Sequence, residues 1–261
     1  MAFTLATIAA MDTRSFAPIS PAPGMPLYRA VKRALLRAIE DGTLAPGATL
    51  PSETPLAAAF GVSVGTLRQA VGELVAEHIL LRRQGRGTFV ATHSSERFLF
   101  QFFHVERGDG LREVPSVELL AFERGRLDDE AAEALGQRAG DAAWLVENRL
   151  LLQGRPVVHD RLALPLVLFK GLTEKRLRSR TGTIYRLYQD DFGITVLRVQ
   201  ERARAVAASH GVSRVLGVAP GTPMLQLRRT ALSFGDRPVE YRVSTVHTAL
   251  HDYVQTLSPP V

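Results

Sequence analysis

The chain contains no cysteine among its 261 residues, which excludes disulfide bonds, thiol nucleophiles and thiolate metal ligands. No apolar run approaches the roughly 18 residues that a membrane-spanning helix requires. The apolar opening segment lacks the positively charged start of a secretory signal peptide. We therefore expect a cytoplasmic protein without a membrane partner. We also expect residues 1–24, which are rich in alanine, proline and serine, to form a disordered arm.

Motifs for metal binding and catalysis are missing as well. Neither a phosphate-binding P-loop nor a G-x-S-x-G nucleophile motif occurs. The seven histidines are scattered. His247 and His251 are four residues apart, but no third ligand accompanies them. We therefore expect no metal site and no cofactor, and the local sequence gives little support for catalysis.

Positive charge is in excess, with a formal net charge of +6 and a pI near 10.1. Residues 25–92 hold eight Lys or Arg against five Asp or Glu, a net of +3. Residues 93–261 hold 23 against 20, which is the same excess over more than twice the length. The first segment is therefore the more basic per residue, as expected for a segment that binds a polyanion such as DNA.

Apolar residues at helical spacing predict three helices in this basic segment. The first is expected over residues 26–40. Ser52 stands where an N-cap would begin the second helix, which should end at Phe60. Ser63 is expected to cap the third. The lengths of the second and third helices and the short turn between them are those of a helix-turn-helix.

A basic hairpin follows the third helix. Residues 79–83 and 88–91 are expected to be strands joined by Gln84-Gly85-Arg86-Gly87, whose glycines permit positive φ and close approach of a phosphate. Two helices around a tight turn followed by a basic β-ribbon are typical of a winged helix-turn-helix. In that arrangement one helix enters the major groove and the ribbon grips the DNA beside it.

The remainder of the chain alternates strands with short helices. Hairpin turns are indicated at Gln153-Gly154-Arg155 and at residues 235–238. This pattern favours an antiparallel α+β domain that is separate from the first. Strands are predicted over residues 117–122, 144–152, 156–164, 196–207, 224–234 and 239–248, and helices over 128–135, 169–177, 184–192 and 213–216.

Residues 25–92 resemble a known family almost without gaps. The runs PLYRAVKRALLRAIEDGTLAPGATLPSE and FGVSVGTLRQAVGELVAEHILLRRQGRGTFV are similar to the winged-helix domain of GntR-family transcription regulators. Residues 93–258 resemble the UTRA effector-binding domain of the HutC-type branch more loosely. The supporting pieces are Arg149 with Gly154-Arg155-Pro156-Val157, then Leu164-Pro165, IYRLYQDDFGITV, LGVAPGTPMLQLRRTA, and RPVEYR before Asp252-Tyr253.

The resemblance implies an α+β fold whose second domain is an antiparallel sheet similar to chorismate lyase. It also implies a ligand-responsive regulator, a repressor by analogy with the family, that binds an inverted-repeat operator in double-stranded DNA as a homodimer. An enzyme related to chorismate lyase is the alternative. Turnover of chorismate would favour that alternative.

The DNA-contacting residues implied by the family motifs lie on the third helix and the hairpin. Arg68 is the main candidate, although it could instead pair with Glu73 or Glu77. Ser63 could cap the helix and also meet a phosphate, whereas Lys32 is expected to face solvent. The family usually has arginine at the positions of Thr54 and Val64, so its usual operator is not expected. The full set is Ser63, Thr66, Arg68, Gly85, Arg86, Gly87 and Thr88.

Charged residues on the expected strands are candidates for the effector pocket. Arginine can fork onto a carboxylate or phosphate, which points to an anionic effector, although ordinary cross-strand ion pairs would use the same residues. Only one of Arg228 and Arg229 should face the pocket, because neighbouring strand residues point to opposite faces. Arg149 is one residue out of step with the family's usual spacing. The candidates are Arg149, Asp160, Arg229, Glu240 and Tyr241, with Arg161 and Arg242 beside them.

Overall fold

The computed structural model describes residues 13–93, 99 and 101–255. The chain divides into two units, and the division falls between Thr92 and His93. Among the residues described, no helix is both long enough and apolar enough to cross a bilayer. The same residues contain no cluster of three His, Asp or Glu side chains that could hold a metal ion.

In the described residues of the first unit, three α-helices precede a short hairpin. The elements are α1 (Leu27–Glu40), α2 (Glu53–Phe60), α3 (Val64–Ala76), β1 (Leu80–Arg83) and β2 (Gly87–Val90). Ser63 caps α3 as expected, since its Oγ accepts a hydrogen bond from the Thr66 N–H at 3.1 Å. Ser52 does occupy the N-cap position of α2, but its side chain makes no capping hydrogen bond. Leu35, Leu67 and Leu74 are fully buried between the helices.

The segment before α1 makes contacts that a disordered arm would lack. The ring of Phe16 packs edge-on against that of Phe60, with 5.1 Å between centroids. The Ile19 N–H donates to the Phe60 carbonyl oxygen at 2.9 Å. Composition could not reveal this, because the partner is the end of α2. Residues 1–12 of the expected arm lie outside the described residues.

The second unit consists of antiparallel strands with short helices beside them. The strands are β3 (Val105–Arg107), β4 (Ser116–Arg126), β5 (Ala142–Leu152), β6 (Arg155–Pro165), β7 (Arg198–Ala207), β8 (Pro223–Leu232), β9 (Pro238–Val246) and β10 (His251–Tyr253). Six of them form a sheet in the order β4-β5-β6-β9-β8-β7, and β3 pairs with β10 in a separate sheet. The helices are α4 (Asp129–Leu135), α5 (Glu174–Ser179), α6 (Ile184–Phe192) and α7 (His210–Leu216).

The sheet presents two faces, because successive side chains of a strand point in opposite directions. On one face, Leu150 and Leu162 pack with Tyr185 and Tyr188 of α6 in the larger core. We call this the α6 face. On the other face, Ala143, Ala163 and Tyr241 pack with Leu127, Ala131 and Leu135 at α4. We call this the α4 face.

The mixed fold with an antiparallel sheet confirms the expected α+β class. Element boundaries differ from those expected: β4 extends to Arg126, the helix expected over 169–177 is α5, and α7 begins at His210. The pairing of β3 with β10 was not predicted. It joins short segments far apart in the sequence, for which local patterns carry no signal.

Candidate nucleic-acid interface and effector pocket

The outward face of α3 combines two long polar side chains with two glycines. Gly65, Arg68, Gln69 and Gly72 are exposed and share one face at helical spacing. A Cβ added at Gly72 would meet no described atom within 4 Å, and one at Gly65 would meet Ser63 Oγ at 3.7 Å. Packing among the described residues therefore requires neither glycine. Their effect is a low surface on which another backbone can approach closely.

Arg68 projects from this face and is anchored by an acidic residue of α2. Its Nε donates to Glu53 Oε2 at 2.6 Å, and its side chain remains 65% exposed. The pairing with Glu73 or Glu77 considered from the sequence is wrong, because Lys32 of α1 binds both of those carboxylates. Lys32 is correspondingly 19% exposed rather than solvent-facing.

The hairpin places an exposed arginine between two glycines. Gly85 and Gly87 have φ of +71° and +104°, which L-residues with a side chain rarely adopt. Arg86 lies exposed at the tip. Thr88 is half-buried, and its carbonyl oxygen accepts from the Leu50 N–H at 2.8 Å. The hairpin is thus tied to the segment before α2 and presents Arg86 outward.

The N-terminus of α3 carries the other expected DNA contacts. The hydroxyl oxygens of Ser63 and Thr66 lie 2.9 Å apart and are hydrogen-bonded to each other. Thr54, where the family usually has arginine, is exposed, and Val64 is half-buried. Donors for a phosphate are therefore available at this helix end. At positions 54 and 64, uncharged side chains stand where the family usually has a guanidinium group.

On the α6 face of the second unit, a row of buried charged side chains crosses the sheet. Arg242 donates from Nη1 to Asp160 Oδ2 at 3.1 Å. Its Nε and Nη2 donate to the two oxygens of Glu240 at 2.9 and 3.0 Å. Arg229, which is paired with Arg242 in the sheet register, donates to Glu201 Oε1 at 2.7 Å. Arg242 is therefore ion-paired with two carboxylates of the same unit, and Arg229 with one.

Two tyrosines of α6 close over Glu240. The hydroxyls of Tyr188 and Tyr185 donate to its oxygens at 2.6 and 3.3 Å. Burial and the charge of Glu240 raise the pKa of Tyr185 to about 12. Burial alone would lower the pKa of Arg242, but the charges of Glu240 and Asp160 outweigh it and the pKa is raised. At neutral pH the tyrosines are therefore neutral donors and Arg242 is cationic.

A cavity of about 50 Å³ opens beside this row. It lies between the α6 face of the sheet and the start of α6, where Gly182, Thr183 and Ile184 line it. Three side-chain atoms of lining residues are buried and have no hydrogen-bond partner among the described residues: Asn148 Oδ1, Asp160 Oδ1 and Arg180 Nε. Burial lowers the pKa of Arg180. Buried polar atoms are normally paired, so these three atoms are exceptions among the lining residues.

The structure brings together only some of the effector candidates. Asp160, Arg229 and Glu240 lie on the α6 face with Arg242. Arg149 points to the opposite face of the sheet. Its Nε donates to Glu118 Oε2 at 2.6 Å, and its Nη1 donates to the Val215 carbonyl oxygen on α7.

Tyr241 also lies on the α4 face, where its hydroxyl donates to Glu130. Arg161 lines a groove of about 310 Å³ on that face. Arg149 and Tyr241 are thus not part of the cavity. Each is the direct neighbour in its strand of a residue on the α6 face, and neighbouring strand residues point to opposite faces. Arg228 likewise faces Glu130, so only Arg229 of that pair reaches the α6 face.

Four residues of the cavity and the charged row were not predicted from the sequence: Asn148 and Arg180 at the cavity, and Tyr185 and Tyr188 at Glu240. Asn148 lies directly opposite Asp160 in the sheet register, so strand alternation could have found it once the pairing of β5 with β6 was assumed. Arg180 and the tyrosines come from the α5–α6 segment, whose position over the sheet is a tertiary property.

Comparison with known proteins agrees with these two units. Residues 27–90 match the gntR family of bacterial regulatory proteins, and residues 110–252 match the UTRA domain. The chain is 28% identical over 233 residues to the Mannosyl-D-glycerate transport/metabolism system repressor MngR of Escherichia coli, covering 89% of this chain and 95% of MngR. It is 29% identical over 209 residues to the HTH-type transcriptional repressor NagR of Bacillus subtilis, covering 79% and 84%.

A solved structure gives the same result for the second unit. The ligand-binding domain of a GntR-type regulator from Bordetella bronchiseptica aligns with a TM-score of 0.57 and 33% identity, covering 61% of this chain and 99% of that domain. The winged helix, the antiparallel sheet and these matches lead to one conclusion. The chain belongs to the GntR family of bacterial transcription regulators and carries a C-terminal UTRA domain.

Proposed function

We propose that the protein is a ligand-responsive repressor that binds an inverted-repeat operator as a homodimer. A two-fold dimer presents two recognition helices related by symmetry, so each half of the operator meets one winged helix. The relative MngR is named for the transport and metabolism of a small organic compound. A comparable role for this chain is repression of genes that handle the metabolite it binds.

The DNA surface consists of α3 and the hairpin. Arg68 reads a base edge or a phosphate, Arg86 with Gly85 and Gly87 grips the backbone, and Ser63 and Thr66 meet a phosphate at the start of α3. Replacement of two arginines by Thr54 and Val64 forfeits up to two guanine contacts, each worth about 1 to 3 kcal/mol of discrimination. The operator therefore differs from one read by those arginines.

The single observation that supports effector binding is the cavity with three unpartnered polar atoms. Its lining includes Ile184, the first residue of α6, and Arg242, which binds Glu240. A ligand there would contact the same helix that carries Tyr185 and Tyr188. Farther along α6, Gln189 Oε1 accepts a hydrogen bond from the backbone N–H of His93 at 3.2 Å. His93 begins the second unit. A ligand that favours one position of α6 would thereby bias the segment leading to the winged helix.

Selection of bound sequences from a random duplex library tests the regulator. The full-length protein should enrich an inverted repeat, and sedimentation of the complex should give two chains per duplex. Scrambling one half-site should weaken binding much more than scrambling the spacer between half-sites. Enrichment of a single asymmetric site bound by one chain would contradict the dimeric repressor.

A further inference from the structure

We infer that the cavity is built for the head group of a zwitterion, with an ammonium facing Asn148 and Asp160 and an acid group facing Arg180. The inference rests on the proposed effector role of this cavity and adds the chemical class of the ligand. It departs from the anionic effector suggested by the arginine-rich sequence.

The first support is a pair of unpartnered acceptors. Asn148 and Asp160 are directly opposed on β5 and β6, and they are 4% and 2% exposed. Oδ1 of each has no hydrogen-bond partner among the described residues, while Asp160 Oδ2 accepts from Arg242. Two buried acceptors side by side, one of them a carboxylate oxygen, suit a cationic group with several N–H donors.

The second support is one unpartnered donor at the same cavity. Arg180 donates through Nη1 to the Leu177 carbonyl oxygen, but its Nε has no partner in the described part of the chain. Arg180 lines the cavity, and an unpaired guanidinium N–H of such a residue matches an acid group of a ligand.

The third support is the balance of charge. Arg180, Arg242 and Asp160 line the cavity, and Glu240 binds Arg242 from outside the lining. Together these four groups carry two positive and two negative charges. A zwitterion leaves this balance unchanged. A dianion would add two negative charges to a desolvated place where Arg242 is already bound to two carboxylates, and an uncompensated buried charge is costly.

The size of the cavity limits what enters it. One water molecule needs about 10 to 15 Å³ of such a cavity, so a cavity of about 50 Å³ holds a few heavy atoms. That is the size of an α-amino-acid head group. Val114 and Val117, which are 44% and 38% exposed, line its rim and would meet an apolar remainder of the ligand.

Thermal shift and calorimetry on the full-length protein without DNA test the inference. The probes are the twenty standard L-amino acids, with glucose 6-phosphate and succinate as dianions. At least one amino acid should raise Tm by several degrees at about 100 times its Kd. Its 2-hydroxy-acid and amide analogues, which lack the ammonium or the carboxylate, should bind at least tenfold more weakly. Stabilisation by a dianion alone, or by no amino acid, overturns the inference.

Asn148→Leu is the diagnostic variant, because it removes one unpartnered acceptor without touching an ion pair. It should fold with an unchanged or higher Tm and bind the amino acid at least tenfold more weakly. The matched control Arg149→Gln, on the α4 face, should bind as the wild type does. An Asn148→Leu protein that binds with wild-type affinity also overturns the inference.

The two proposals fail separately. Ligand binding is measured without DNA, and operator selection is carried out without ligand. If the protein binds an amino acid but selects no operator, the repressor proposal fails and the proposed ligand class stands. If it selects an operator but binds no amino acid, the ligand class fails and the repressor proposal stands.

Discussion

Glu53 of α2 holds Arg68 of α3 through a hydrogen bond from Arg68 Nε at 2.6 Å. The other oxygen of the same carboxylate lies 3.8 Å from Arg82 Nη2 on β1. One acidic side chain thus bridges α3 and the hairpin. Because it anchors the guanidinium through Nε, it orients the rest of that group without covering it.

The substitution Glu53→Gln should loosen discrimination while strengthening binding to random DNA. One negative charge near the phosphates is lost, and Arg68 loses a charged anchor that fixes its direction. We expect the ratio of Kd values for random and selected duplexes, measured at one salt concentration, to fall about tenfold, equivalent to about 1.4 kcal/mol. The control Glu40→Gln removes an exposed acid from the end of α1 and should leave the ratio unchanged. An unchanged ratio for Glu53→Gln would show that the anchor has no role in recognition.

Arg68→Ala should weaken operator binding by more than about 1 kcal/mol, because a direct base or phosphate contact is removed. Gel shifts at fixed salt measure the change, and circular dichroism checks that the fold is retained. Arg33→Ala, an exposed arginine of α1, serves as the control and should bind nearly as the wild type does. If Arg68→Ala also binds like the wild type, Arg68 is not a contact residue.

Arg86→Ala should make operator binding less sensitive to salt. Each phosphate contact releases counterions, so loss of one contact should reduce the slope of log affinity against log salt concentration by about 1. Titrations at several salt concentrations give the slope. A slope equal to that of the wild type would place Arg86 away from the phosphates.

Arg242→Met should destabilise the second unit severely. The substitution leaves Glu240 and Asp160 buried without their cation, and breaking a buried pair in this way costs about 3 to 5 kcal/mol. Urea unfolding of Arg149→Met provides the comparison, because Arg149 is paired in a half-exposed position and its loss should cost about 1 kcal/mol or less. Similar losses for the two variants would show that the buried row contributes no special stability.

The wild type should lose stability at high pH through Tyr185. Its pKa is about 12 in the folded protein against an ordinary value of 10.0. A group with a raised folded pKa stabilises fully below the unfolded pKa, and that stabilisation is lost as the pH rises toward the folded pKa. The difference in unfolding free energy between wild type and Tyr185→Phe should therefore shrink from about pH 10 to about pH 12. A constant difference would contradict the raised pKa.

Much of the first unit follows from the sequence because its signals are local. Ser63 caps α3 through a bond to a residue three positions away, and the glycines at 85 and 87 fix the hairpin by their own backbone angles. Ser52 shows the limit of such signals, since it occupies the N-cap position without making the bond.

The second unit is less predictable because its site is assembled across strands. Asn148 and Arg149 are neighbours in β5 and point to opposite faces of the sheet, so that only Asn148 lines the cavity. Tyr185 and Tyr188 meet Glu240 only after α6 packs on the sheet. No local pattern carries that contact.

The most direct test of DNA recognition is the ratio of Kd values for the selected duplex and a scrambled duplex of the same composition, measured for the wild type at physiological salt. Specific regulators bind their sites about a thousandfold or more tightly than other DNA, and we expect a ratio of at least that order. A ratio near one, with and without amino acids present, would contradict recognition of DNA by α3 and the hairpin.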